Sequence, residues 1–137
     1  LASTSDVADE PPKHSLDVVK VIYVMPMRNR MDHYLTAELV KWGHYQVTLN
    51  PKEADAIFSD VPQIDVKSLL EDPSKVTWAS RASRGNGFLI DPKTEKVIWS
   101  ASKDPSTSYL FYTEYKSVKG LAHEIIGQLK KDSGKQK

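Results

Sequence analysis

Residues 18–25 read Val18-Val19-Lys20-Val21-Ile22-Tyr23-Val24-Met25, a β-branched run that is apolar at nearly every position. A strand with one wet face alternates apolar and polar side chains, whereas a run without alternation belongs to a strand covered on both faces. Pro26 lacks a backbone donor and ends the run. The segment therefore predicts the central strand of a sheet with cover on two sides.

Outward from it, Met31, Tyr34, Leu35, Leu39 and Trp42 recur at helical spacing, with Asn29 and Asp32 at the spacing of a capping box and Gly43 as the stop. Tyr45, Val47 and Leu49 alternate with His44, Gln46 and Thr48, which predicts a strand with one buried face. Asn50-Pro51-Lys52-Glu53 reads as one capped turn leading into a third strand over residues 54–59. Residues 65–70 suit a short helix, Asp72-Pro73 a turn, and residues 76–84 either a strand or a long loop.

Two apolar runs, residues 87–91 and 97–101, flank Pro92-Lys93-Thr94-Glu95-Lys96 and predict a β-hairpin. Val118, Leu121, Ala122, Ile125 and Leu129 then form one face of a last helix, with Ser117 as its N-cap and Gly134 beyond its end. The order β-α-β-β-(α)-β-β-α predicts an α/β (α+β) fold, a mixed four- to five-stranded sheet with two main helices packed on it. Residues 1–16 are polar and read as an extended arm, residues 17–131 as a single α/β domain, and residues 132–137 as a basic tail.

A chain of 137 residues with 19 basic and 18 acidic side chains has no global field to attract nucleic acid, so no nucleic-acid partner is expected. The absence of cysteine excludes disulfides, thiolate metal sites and a thiol nucleophile. No apolar run approaches the length of a membrane span. The four histidines never fall at metal-ligand spacing. His123-Glu124-Ile125-Ile126-Gly127 has glycine where a zinc-protease helix needs its second histidine. Neither a nucleophile elbow nor a phosphate-binding loop is present, and the bare Gly-x-Gly of Ser83-Arg84-Gly85-Asn86-Gly87 reads as a turn feeding the hairpin. No catalytic residue, metal or cofactor is expected.

Two clusters stand out. All four arginines, Arg28, Arg30, Arg81 and Arg84, fall in two short loops. Arginine pairs bidentately with carboxylate or phosphate. The Arg28-Asn29-Arg30 loop sits where α/β folds tend to bind ligands, after a strand and before a helix. Three readings stand for it: solvated loops, a partner interface, or an anion site. Tyr109, Phe111, Tyr112 and Tyr115 form the second cluster, read either as core or as a partner interface.

Trp42-Gly43-His44-Tyr45-Gln46-Val47, residues 51–57 and residues 90–100 together resemble a block shared by small exported bacterial α/β domains, among them the CsgG-like, LpoB-like and TolB N-terminal-like domains. The resemblance spans about residues 18–131. It departs from the pattern at Glu95, where the hairpin turn usually carries glycine, and this chain lacks the lipidated cysteine of many such domains. It implies an extracytoplasmic location, periplasmic or secreted, and a role in binding partners or assembling. The start at Leu1 rather than methionine agrees with removal of an upstream segment, a signal peptide or a trimmed one. The expectation is a non-enzymatic interaction or self-assembling domain whose partner is another protein or a second copy. The alternative is a small domain that binds phosphate or carboxylate through its arginines.

Overall fold

The computed structural model describes residues 13–75, 85–108 and 110–134. At its centre is a five-stranded mixed sheet in the order β2-β1-β3-β4-β5, with β1 at Val21–Val24, β2 at Gln46–Thr48, β3 at Ala56–Ser59, β4 at Asn86–Ile90 and β5 at Val97–Ser102. Among the described residues three α-helices accompany it: α1 Met31–Trp42, α2 Val66–Glu71 and α3 Val118–Ser133. The expected α/β class and mixed sheet are what the chain forms. Strand β1 has parallel neighbours on both sides, Ile22 lying opposite Val47 of β2 and Ala56 of β3. Strands β3, β4 and β5 run antiparallel in turn, with Phe58 opposite Leu89 and Leu89 opposite Trp99.

The strand is shorter than the run at residues 18–25, since Val18 ends a 3-10 helix and is exposed, but from Val21 onward the missing alternation has its cause. Ile22, Ala56, Phe58 and Leu89 point to one face and meet Leu35 and Leu39 of α1 and Leu121, Ile125 and Leu129 of α3. Tyr23, Met25 and Ile57 point to the other and pack with Ala54, Val66 and Leu69. Burial of side chains of this size contributes roughly 1.5–3 kcal/mol each, so a two-faced central strand concentrates stability in few residues. Asp55 locks the strand entrances together, its Oδ2 accepting the N–H groups of Lys20 at 2.9 Å and Val21 at 3.0 Å.

Helices α1 and α3 lie side by side on the first face. His123 Nδ1 approaches Glu38 Oε1 at 2.8 Å, and Lys130 stands 5.7 Å over the Trp42 ring. Trp99 Nε1 donates to Asp132 Oδ2 at 2.9 Å, tying β5 to the end of α3. Tyr45 is buried in the same core, and its hydroxyl has no hydrogen-bond partner among the described residues. Burial, with the charge of Asp17 adding to it, pushes its pKa up to about 12.

The chain departs from expectation at its boundaries. Lys13–Val18 forms a 3-10 helix and Leu16 is buried in the core, so order begins before residue 17; residues 1–12 lie outside the described set. Helix α3 continues through Ser133, because Asp132 is held by Trp99 and by Gln128 Nε2 at 3.0 Å. The expected tail is therefore partly helix. Leu49 is exposed rather than buried, because β2 is a three-residue edge strand that ends at Thr48. The Asn29/Asp32 capping box does not form. Asn29 and Arg30 both adopt left-handed backbone, with φ of 59° and 64°, and α1 starts without a side-chain cap.

Other local expectations hold. Ser117 Oγ accepts the Gly120 N–H at 3.0 Å, Asn50 Oδ1 accepts that of Lys52 at 3.0 Å, and Gly43 and Gly134 take the left-handed stops. Asp65 caps α2, and the Ser68 hydroxyl and N–H hold its carboxyl below the ordinary range. Residues 76–84 lie outside the described residues.

In the β4–β5 hairpin, Glu95 takes φ 61° while its N–H donates to the Asp91 carbonyl at 2.7 Å. Left-handed backbone costs an ordinary L-residue roughly 1–2 kcal/mol, partly offset in glycine by greater unfolded-state freedom. Glu95→Gly is expected to stabilise the fold by about 0.5–1 kcal/mol. A rise in the urea midpoint with an unchanged slope would show it, and a fall would contradict it.

Candidate interaction surface

Beyond β5 the chain builds a small second sheet. The Lys103 N–H donates to the Gly85 carbonyl at 2.7 Å, closing the end of the β4–β5 ladder. Asp104 Oδ1 then accepts the Ser106 N–H at 3.1 Å, turning the chain away from that ladder. Strand β6, Ser106–Ser108, pairs antiparallel with β7, Thr113–Tyr115, and residues 109–112 lie between them. The base is clamped. Lys116 donates its N–H to the Pro105 carbonyl at 2.9 Å, its Nζ lies 3.1 Å from Glu124 Oε1 on α3, and Ser117 starts that helix at once.

The apolar side chains of this hairpin are not in the core. Leu110 is 87% exposed, Phe111 90%, Tyr112 60% and Tyr115 70%. The core reading of the aromatic cluster is thus excluded for Phe111, Tyr112 and Tyr115. Tyr109 lies outside the described residues. Scattered exposed apolar residues are ordinary on a protein surface, whereas here Leu110, Phe111 and Tyr112 are exposed in succession. Loops are usually polar, so an apolar loop reads from sequence as core; the Asp104-Pro105-Ser106 turn signal was the available hint that the chain reverses here.

Arg28 and Arg30 are exposed in the loop that follows β1. Arg81 and Arg84, the other half of the expected cationic cluster, lie outside the described residues. The same end of the sheet holds a pairing the sequence did not show. Parallel β1 and β3 lie side by side, one leading to α1 on the first face and the other towards α2 on the second. Asp32 stands near enough to Asp60 for its charge to act on the Asp60 carboxyl. Burial pushes the Asp60 carboxyl up, with the Asp32 charge adding to it and the Asp60 backbone N–H opposing. Burial and Asp32 likewise raise the Tyr23 hydroxyl.

A carboxyl whose folded pKa lies above its ordinary 3.8 contributes stability below that value and loses it as pH rises through the folded pKa. At neutral pH the ionised Asp60 therefore disfavours the fold. Asp60→Asn is expected to raise the melting temperature at neutral pH, with the gain shrinking as pH falls through the raised folded pKa and vanishing below 3.8. A gain of the same size at every pH, or a loss, would contradict it.

At the opposite end of the sheet a pocket of about 440 Å³ opens beside the entrances of β1 and β3 and the β4–β5 turn. Val18, Val19, Ala54, Pro92 and Ile98 supply its apolar lining, with Asp55, Asp91 and Lys93 around them. Among the described residues no group of three or more histidine, aspartate or glutamate side chains could hold a metal, and no helix is long and apolar enough to cross a membrane. No protein-family model, curated protein or solved structure matches the chain.

Proposed function

We propose that this chain is a non-enzymatic protein-interaction or self-assembling structural domain that works outside the cytoplasm, and that the β6–β7 hairpin is its contact element. The observation that carries this reading is the exposure of Leu110 and Phe111 at the tip of a hairpin whose base is clamped to β5 and α3. Each forgoes roughly 1.5–3 kcal/mol of burial in the isolated chain. A partner surface recovers that free energy, and the fixed base lowers the ordering cost of contact. The extracytoplasmic placement rests on the resemblance of residues 42–47, 51–57 and 90–100 to small exported domains, and fractionation of the native cells tests it.

Sedimentation of the wild-type chain against a Leu110→Ser/Phe111→Ser variant tests the contact. Both side chains are exposed, so the variant should melt with the wild type while losing concentration-dependent association. A wild-type chain that stays monomeric at every concentration would contradict self-assembly. Association unaffected by the variant would remove the hairpin from it.

A second reading, binding of a small anion, is supported by the successive left-handed residues Asn29 and Arg30, which bring Arg28 and Arg30 to the uncapped start of α1. Phosphate stabilises many proteins by exclusion from their surfaces, so the comparison must be with a variant. Specific binding predicts that phosphate raises the melting temperature of the wild type more than that of Arg28→Ala/Arg30→Ala. Equal shifts would rule it out.

A further inference from the structure

Asn86 is the one asparagine in the chain that precedes glycine; Asn29 precedes Arg30 and Asn50 precedes Pro51. The Asn86-Gly87 pair carries a chemistry that neither residue has alone. A backbone nitrogen can attack the side-chain amide carbon of the asparagine before it. Glycine leaves that nitrogen unobstructed, whereas an arginine side chain crowds it and proline has no N–H to give up. Asn86 opens β4 opposite Ser102 of the edge strand β5, and its Oδ1 accepts the Ser102 hydroxyl at 2.8 Å. Because the Lys103 N–H lies on the Gly85 carbonyl, the alternation of an antiparallel ladder sets the Gly87 N–H on the Ala101 carbonyl. Both reacting groups are therefore held in the closed strand. The nitrogen is bonded across the ladder, and extended backbone keeps it from turning back onto the side chain.

We infer that Asn86 is a site of spontaneous deamidation, gated by opening of the β4–β5 ladder at its Gly85 end. In the open segment the Gly87 nitrogen bonds to Asn86 Cγ, its proton passes to the departing side-chain nitrogen, the Cγ–Nδ2 bond breaks, and ammonia leaves behind a cyclic imide. Water then opens the ring. Addition at Cγ gives aspartate with the ordinary backbone; addition at the backbone carbonyl gives isoaspartate, whose main chain runs through Cβ and Cγ. No oxidant or reductant takes part. The ladder opens most readily here, since β5 is an edge strand and the Lys103–Gly85 bond is the last to close it. The two products act differently on the fold. Aspartate keeps an acceptor for the Ser102 hydroxyl and closes again. Isoaspartate lengthens the main chain by one methylene immediately before Gly87, where even a Cβ would stand 2.9 Å from Ile125 Cγ2 and 3.0 Å from Phe58 Cε1. The strand has no room for the slack, so the Gly85–Lys103 bond is lost and the base of the β6–β7 hairpin loosens with it.

The full chain is incubated in mildly alkaline buffer, folded or in urea, and conversion is followed by the amide-to-acid mass change in the tryptic peptide that carries Asn86. Conversion slower by about tenfold or more in the folded chain than in urea is the expected result. Ser102→Ala should speed the folded rate by about fivefold, the scale of one hydrogen bond, and leave the rate in urea unchanged. Asn86→Gln should stop the conversion. The separated isoaspartyl form should melt below both the wild type and Asn86→Asp, which distinguishes the longer backbone from the added charge. Conversion mapped to Asn29 or Asn50 instead of Asn86 would overturn the assignment. Equal rates folded and in urea, or a folded rate that Ser102→Ala leaves unchanged, would overturn the gating, and an isoaspartyl form that melts with Asn86→Asp would overturn its effect on β4.

Discussion

Phe58→Ala is expected to remove about 3–5 kcal/mol of stability, the range for truncating a fully buried aromatic residue. Phe58 has no exposed surface, sits on the inner strand β3, and packs 6.0 Å from the Trp99 ring at a tilt of 58°. The core around it is built to the ring's shape. A Cβ added at Gly87 would stand 2.9 Å from Ile125 Cγ2 and 3.0 Å from Phe58 Cε1, so glycine at this position makes the space the ring uses. Helix, sheet and ring cannot all collapse into the hole that alanine leaves. Urea denaturation would read the loss, and a cost under about 1.5 kcal/mol would mean that the site relaxes. Gly87→Ala should then cost less in the Phe58→Ala background than in the wild type, a coupling that a double-mutant cycle measures.

Gly85→Ala is expected to cost about 3 kcal/mol or more, although only one methyl group is added. Gly85 has φ 85°, a region that disfavours a side chain, and its Cβ would fall on the Lys103 carbonyl. Relief requires the end of β4 to move away from Lys103, whose N–H donates to the Gly85 carbonyl. Because Lys103 leads directly into the hairpin, this substitution should also loosen the hairpin base. Lowered stability with unchanged amide protection at Lys103 would contradict that link.

The sequence made the inner layer of the fold legible and left the outer layer obscure, for one physical reason. Val21 to Met25 could be assigned because two-sided burial removes alternation, and Ser117, Gly43 and Gly134 because capping chemistry acts within a few residues. Leu49 could not, since its exposure depends on β2 ending early at a sheet edge. Nor could the action of the Asp32 charge on Asp60, which follows from β1 and β3 being neighbours. The start of α1 offered a plausible capping box, and the chain instead enters through two left-handed residues. The hairpin tip was the hardest case. Apolar residues that pack in a core and apolar residues left on the surface look the same until exposure separates them.

Phe58 and Gly85 are buried, whereas Leu110 and Phe111, the residues of the proposed contact, are exposed. Amide hydrogen exchange at rising protein concentration tests that division directly. Slowed exchange confined to residues 106–115 is the predicted result. Identical exchange at every concentration, or protection centred on α1 instead of the hairpin, would contradict it.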